Sequence, residues 1–328
     1  MEYFIHLIII IGIYLILAQS FNLTLGLGLL FNLAHVSVYA VGAYVTALLA
    51  TELGMGFFGC LVCSVLICGL FAIILGAISI KLKEDYFAIG TLAFSSVISA
   101  LLINWKSLTH GVLGIPGIPR PEFSFLKVDF YDNINFLVLT YVLVAITFFM
   151  LYLFFNNFFA RTLRAQSEFR QATKALGKNT RLTRNMSFFI ASCFAGLAGS
   201  LYAYYINYID PSSFSLTEMI FVLTVVVVGK PGSFWGCVFG TVFLVLLPEP
   251  LRFTRDVPLA LEWLFGMPYP QISAIPVLGW LITPVVSFLL YASRPSVLGP
   301  MRQMLYAVIL FIVVYFRREA LFPVQRRV

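Results

Sequence analysis

Long apolar stretches alternate with short polar joints along most of this chain. Apolar runs cover Phe4–Ser20, Phe21–Leu33, Val36–Ala50, Phe57–Ile80, Tyr86–Asn104, Phe136–Phe155, Met186–Ile206, Leu216–Gly229, Phe234–Leu247, Ile272–Ala292 and Leu305–Phe316. A helix needs about 20 apolar residues to cross a bilayer core, so the longer runs predict membrane helices. Lipid accepts only helices or closed barrels, because every backbone polar group must find its partner inside the protein. Barrel strands alternate apolar and polar residues, and Phe136–Phe155 does not. The expected fold is all-α, a polytopic helix bundle of about 8–10 transmembrane helices. It forms one transmembrane domain over residues 1–328.

Two runs are interrupted. Phe21–Leu33 contains Asn22, Thr24, Gly26, Gly28 and Asn32, and is either a full span or a broken, re-entrant piece. Ile272–Ala292 contains Pro276, Gly279 and Pro284. Proline removes a helix hydrogen bond, and such backbone survives at membrane depth only where protein or a cavity covers it. Residues 253–300 are therefore expected to be a Pro-rich insertion, external or re-entrant. The apolar stretch after Met1-Glu2-Tyr3 lacks a basic flank, which favours a retained first helix over a cleaved signal peptide.

Composition makes the membrane reading firm. Apolar residues are 61% of the chain and charged residues 11%, whereas soluble domains run near half apolar and about a quarter charged. Mean hydropathy is +0.97. A soluble enzyme or nucleic-acid binder could not hide so much apolar surface. The net charge of +7 would suggest nucleic acid in a soluble protein, but here its position matters more than its sum. Residues 156–186 carry +6, the tail from Arg317 carries +3, and the rest sums to −2. Basic residues mark cytoplasmic loops, so 156–186 is placed inside. Residues 105–135, neutral and containing Pro116, Pro119 and Pro121, then lie outside, and Lys81-Leu82-Lys83 lies inside. Five apolar runs follow Asn185. A basic tail on the inside requires an even number of crossings, so one run must not cross, and Ile272–Ala292 is the weakest.

Catalytic chemistry is thin. His6, His35 and His110 are far apart, and no zinc-protease, nucleophile-elbow or phosphate-loop motif occurs. Cys60-x-x-Cys63 has redox spacing but no second ligand pair, so it reads as apolar helix, and no metal site is expected. Glu84-Asp85 is expected at a helix start, where acid meets the positive end of the dipole. Glu218 near a span end is expected to be a solvated interfacial acid. Small residues at Gly42-Ala43 and through Ala195–Ser200, including Gly196 and Gly199, sit three and four apart. Such spacing lets helices pack closely in lipid. The 156–186 loop is long for a connector. Its middle is helix-compatible and ends at Gly177, a residue suited to a helix C-cap. Phe169, Ala172, Thr173 and Leu176 recur at helical spacing. The small apolar face they form suits an anionic membrane surface or a groove on a cytosolic protein, a merely solvated loop is the third reading, and the residues alone leave all three open.

Four blocks resemble the permeases of branched-chain amino acid ABC transporters, LivM type, with urea and amide permeases close behind. They are Asn32-Leu33-Ala34-His35 with Val41-Gly42-Ala43-Tyr44; Asp85–Phe94 followed by Thr109-x-Gly111 and Gly114–Pro119; Ala195–Ala203; and Pro211-x-x-Phe214, Gly232-Ser233 and Leu247-Pro248-Glu249-x-Leu251-Arg252. The order holds over residues 20–252. The resemblance implies a multi-pass permease of the bacterial inner membrane that works by alternating access. It implies a heterodimer with a sister permease, two cytosolic ATPase subunits and a periplasmic or lipid-anchored solute-binding protein. It implies no nucleic-acid partner and no cofactor on this chain, ATP and magnesium belonging to the ATPases. It makes the loop a coupling helix with Glu168, Phe169, Ala172, Leu176 and Gly177 as its contact residues. Arg170 and Thr173 depart from the usual acid and alanine there. Asn32, His35, Tyr86, Thr91 and Thr109, polar residues in the matched blocks, are candidates for the translocation path, and Gly42, Gly196 and Gly199 for helix packing. The competing classes are a urea or amide permease, a membrane enzyme on lipid or prenyl substrates, and a passive channel.

Overall fold

A computed structural model describes residues 2–81, 84–121, 130, 132–250, 284, 286, 287, 291 and 294–321. Helix α1 (Glu2–Asn22) runs without a break into a π-helical turn, Leu23–Leu27. The Phe21–Leu33 run is thus no separate crossing. Its first half completes α1, and residues 29–34 form a buried or half-buried, non-helical re-entry into α2 (His35–Thr51). The physical cause lies in the interrupting residues. Gly26 meets the backbone of Gly232, where a Cβ would lie 2.2 Å from the Gly232 nitrogen, and the Thr24 hydroxyl donates to the Phe21 carbonyl (3.0 Å).

Then follow α3 (Phe57–Lys81), α4 (Glu84–Asn104) and the short α5 (Lys106–Thr109). As expected, α4 begins at Glu84. Strand β1 (Ile115–Pro116) precedes α6 (Asn133–Asn156), and the basic loop forms α7 (Phe158–Glu168) and α8 (Arg170–Ala175). Helix α9 (Thr180–Ile206) leads to β2 (Tyr208–Ile209), α10 (Leu216–Val228) and α11 (Phe234–Leu246). Among the described residues six helices are long and apolar enough to cross a membrane, and three shorter ones, α2, α10 and α11, are apolar too.

Helices α1 and α9 are central, each with 72% of its most apolar stretch buried, against 33% for α3, 22% for α4 and 28% for α6. The peripheral helices turn large apolar side chains outward, among them Leu66, Leu70, Val97, Val138 and Phe149. That surface suits lipid. Between helices in lipid the hydrophobic effect gives little, so close packing and hydrogen bonds hold the bundle. Helices α2, α3 and α9 show how. A Cβ on Gly42 would lie 2.7 Å from the Gly196 Cα, and one on Gly199 would lie 2.2 Å from the Tyr39 carbonyl. The Ser64 hydroxyl sits 3.0 Å from both the Gly42 and Gly196 carbonyls.

The bundle has a loop end, marked by α7 and α8, and a far end. At the far end β1 pairs antiparallel with β2, Ile115 opposite Ile209. Gly114 makes the pairing possible, with φ +66 and no room for a Cβ beside the Ile209 carbonyl. Asn207 ends α9 in a left-handed conformation and its amide donates to the Ile118 carbonyl (2.7 Å). Arg120 donates to the Phe130 carbonyl and to Asn133, both at 3.1 Å. Segment 105–121 is therefore pinned to the bundle rather than a plain loop.

Residues 242–312 form a second compact unit. In it the Tyr306 hydroxyl donates to the Leu244 carbonyl (3.3 Å), and the Arg302 guanidinium donates to the Tyr306 oxygen (3.0 Å). Helix α12 (Pro295–Leu321) begins inside the expected Pro-rich insertion and carries the Leu305–Phe316 run. The rest of that insertion lies almost wholly outside the described residues, as does most of Ile272–Ala292.

Candidate functional site

The basic loop is built by local capping. Asn157 caps α7, its side-chain oxygen accepting from the Phe158 amide (2.8 Å), and Lys178 lies 4.4 Å from the centre of the Phe158 ring. Leu163 is fully buried against the bundle and reaches Gly28. The helix expected over Gln166–Leu176 is in fact two. Phe169 (φ −137, ψ 75) separates them, its amide closing α7 on the Ala165 carbonyl and its carbonyl opening α8. Helix α8 ends in a Schellman motif. Gly177 (φ +77) donates to the Lys174 carbonyl (2.9 Å) and Lys178 to the Thr173 carbonyl (3.3 Å), a pattern that needs a left-handed residue after the helix. Of the four apolar-face residues only Thr173 turns inward. Phe169 is 70% and Leu176 79% exposed, and Ala172 is exposed beside them. Glu168, the last residue of α7, is exposed too.

A side-chain hydrogen bond also ties this loop to the bundle. Arg164 donates to the Gly232 carbonyl (3.2 Å), at the turn between α10 and α11. Asn22, where α1 becomes π-helical, accepts from the Gly232 amide (2.8 Å) and donates to the Ser233 carbonyl (3.0 Å). Gln19 donates to the Phe234 carbonyl (2.6 Å). Lys230 in this turn adopts φ +69, a conformation that favours glycine.

Polar side chains inside the bundle form two groups. Asn32, His35 and Thr91 are buried together near the re-entry before α2. Asn32 accepts from the Ala34 amide (3.1 Å), Thr91 from the Leu33 amide (3.1 Å), and His35 Nε2 lies 3.0 Å from the Ser20 hydroxyl. The second group surrounds Glu218. Expected as a solvated acid, it is instead half-buried and accepts from the Tyr14 hydroxyl. At the nearby far-end turn Asp210 accepts from the Ser212 and Ser213 hydroxyls. Burial pushes its carboxyl up, but those two donors outweigh burial and hold it below its ordinary value.

A family model described as "Branched-chain amino acid transport system / permease component" matches residues 3–266. The chain belongs to this permease family. It is 34% identical over 261 residues to the "High-affinity branched-chain amino acid transport system permease protein LivM" of Escherichia coli (strain K12), covering 73% of this chain and 61% of that one. It is 33% identical to the Salmonella typhimurium protein of the same description, with the same coverage. It is 27% identical over 252 residues to a "Probable branched-chain amino acid transport permease protein LivM" of Methanocaldococcus jannaschii, covering 74% and 69%. The chain thus spans about three fifths of the length of its first two relatives. No solved structure matches it. Family and apolar spans together make it a multi-pass membrane protein.

The residues singled out from sequence fall in five places. Glu168, Phe169, Ala172, Leu176 and Gly177 share one exposed surface, and Gly42, Gly196 and Gly199 share one helix seam. Asn32, His35 and Thr91 come together, but Tyr86 is exposed near the loop end of α4, and Thr109 is buried at the far end, donating to the Leu102 carbonyl (2.7 Å). The candidate path residues therefore make no single site. Sequence reasoning missed the Tyr14–Glu218 contact and the Asn22–Gly232 joint. The available signals were an acid inside an apolar run and an asparagine where a span should continue, but neither names its partner.

Proposed function

We propose that the chain is the transmembrane permease subunit of an ATP-driven ABC importer that carries branched-chain amino acids inward across the bacterial inner membrane. The observation that carries this reading is the exposed apolar face of α8. Phe169, Ala172 and Leu176, at the two ends and the middle of this capped helix, are all exposed. A basic loop belongs on the cytoplasmic side, where a partner ATPase supplies the groove. The partners are a sister permease forming a heterodimer, two cytosolic ATPase subunits holding ATP and magnesium, and a solute-binding protein on the outside. Closure of the ATPases pushes α8, and Arg164 passes the displacement to the α10–α11 turn. The helix packing then moves between two discrete arrangements rather than deforming continuously. The curated relatives' descriptions support branched-chain amino acids as the solute.

Deletion of residues 168–177 tests the reading. Reconstituted with its ATPases, sister permease and binding protein, the unaltered chain should drive uptake of leucine, isoleucine or valine with ATP. The deletion should abolish uptake and ATPase co-purification while leaving membrane insertion intact. Unchanged uptake in the deletion overturns the coupling role, and uptake of urea or short amides alone reassigns the solute.

A further inference from the structure

Glu218 stands in the first turn of α10, half-buried inside the bundle. An acid at a helix start suits the dipole, but the dipole requires no particular surround. Here the surround is specific. Tyr14 from α1 donates to the Glu218 carboxylate. Tyr39 from α2 and Tyr202 from α9 lie within electrostatic reach of the same group. Four helices therefore bring one carboxylate and three phenol rings together. The rings are close-set: Tyr14 to Phe221 at 5.1 Å, Tyr39 to Tyr202 at 5.7 Å, and Tyr39 to Phe214 at 5.2 Å between centroids.

One atom in this group is unexplained by packing. The Tyr39 hydroxyl is buried and has no hydrogen-bond partner. A buried polar atom left this way costs stability, and natural cores retain it where a ligand or water completes it. An ionisable residue at membrane depth is itself costly and marks substrate paths. Carboxylate plus aromatic faces is the chemistry that recognises an ammonium group, by charge and by the ring quadrupole. A groove of about 400 Å³ is lined by Leu216 and, from α4, by Ser95, Ser96, Ser99 and Asn104 with the apolar Leu92, Ala100 and Ile103. Leu216 begins α10, two residues before Glu218. The Ser96 hydroxyl and one Asn104 amide hydrogen already donate to the Leu92 and Ala100 carbonyls, so the Ser99 hydroxyl and the second Asn104 amide hydrogen are the groups an α-carboxylate would take.

We infer that Glu218, with the rings of Tyr14, Tyr39 and Tyr202, binds the α-ammonium of the transported amino acid, and that Phe214 and Phe221 shelter its branched side chain. This rests on the transport function proposed above. It adds a solute contact inside the permease to whatever selection the binding protein makes.

Proteoliposomes carrying the complete transporter test it, with ATP-driven leucine uptake and basal ATP hydrolysis both measured. Glu218→Gln keeps an acceptor for the Tyr14 hydroxyl but removes the charge. It should lower uptake by at least about tenfold, while Glu218→Asp, which keeps the charge, retains most of it. Tyr39→Leu, which removes a ring, should lower uptake too. Basal ATP hydrolysis and subunit assembly should stay at the unaltered level in all three. Uptake by Glu218→Gln within twofold of the unaltered protein overturns the ammonium site. So does an equal loss in Gln and Asp variants accompanied by lost assembly, which marks Glu218 as structural. Failure of the unaltered transporter to move any branched-chain amino acid overturns the transport reading itself, and the ammonium site with it.

Discussion

At the scale of single residues, the bundle is sensitive where a missing side chain is the fitting part. Gly199 lies so close to α2 that a Cβ would sit 2.2 Å from the Tyr39 carbonyl and 2.8 Å from the Ala43 nitrogen. Neither atom is the end of a flexible side chain, so backbone must shift. Gly199→Ala should cost about 1–3 kcal/mol, the usual range for overpacking a well-filled contact. Gly56→Ala is the matched control, since nothing stands within 4 Å of its Cβ position. Thermal unfolding in detergent should show a clear drop for the first and almost none for the second. Equal midpoints would mean that α2 and α9 separate without cost. The glycine spacing was legible in the sequence because it is a local period. Its exact counterpart, the Tyr39 carbonyl, was not, because nothing in α9 names the helix it meets.

At the scale of elements, we propose that the basic loop and the α10–α11 hairpin act as one lever. The Arg164 guanidinium and the Asn22 amide both hold the Gly232 turn, and α10 carries Glu218 at its other end. Arg164→Ala should uncouple the lever. In the assembled transporter, ATP hydrolysis should persist while uptake falls several-fold, a pattern that loss of α8 docking cannot give. Loss of both activities together would place Arg164 in assembly instead. The charge of the loop and the Gly177 cap were legible, because charge and glycine act at their own positions. The break at Phe169 was not. Phe169 has no sequence feature of a helix breaker, and the turn comes from α7 being held by buried Leu163 while Thr173 turns inward from α8.

At the scale of the whole molecule, the π-helical end of α1 decides the topology. With Glu2–Leu27 as one crossing, the start of α1 and the basic loop lie at opposite ends. Cysteine substitutions should report this in intact cells. Glu52→Cys, in the exposed far-end turn after α2, should react with a membrane-impermeant maleimide from outside, and Leu176→Cys only after the membrane is opened. Labelling of both from the same side would refute the arrangement. By itself the sequence determined that this is an all-helical membrane protein, which loop carries the positive charge, and where small residues let helices close up. Those properties follow from composition and short-range period, and lipid leaves few other solutions. Only the tertiary structure decided that the second apolar run is a broken re-entry, that segment 105–121 is pinned to the far end, and that Tyr14, Tyr39, Tyr202 and Glu218 meet. Each of those depends on pairs of residues far apart in the chain, 204 positions for Tyr14 and Glu218 and 210 for Asn22 and Gly232. Contacts in lipid are made by shape and hydrogen bonding rather than by hydrophobicity, so a hydropathy pattern cannot say which partners they join.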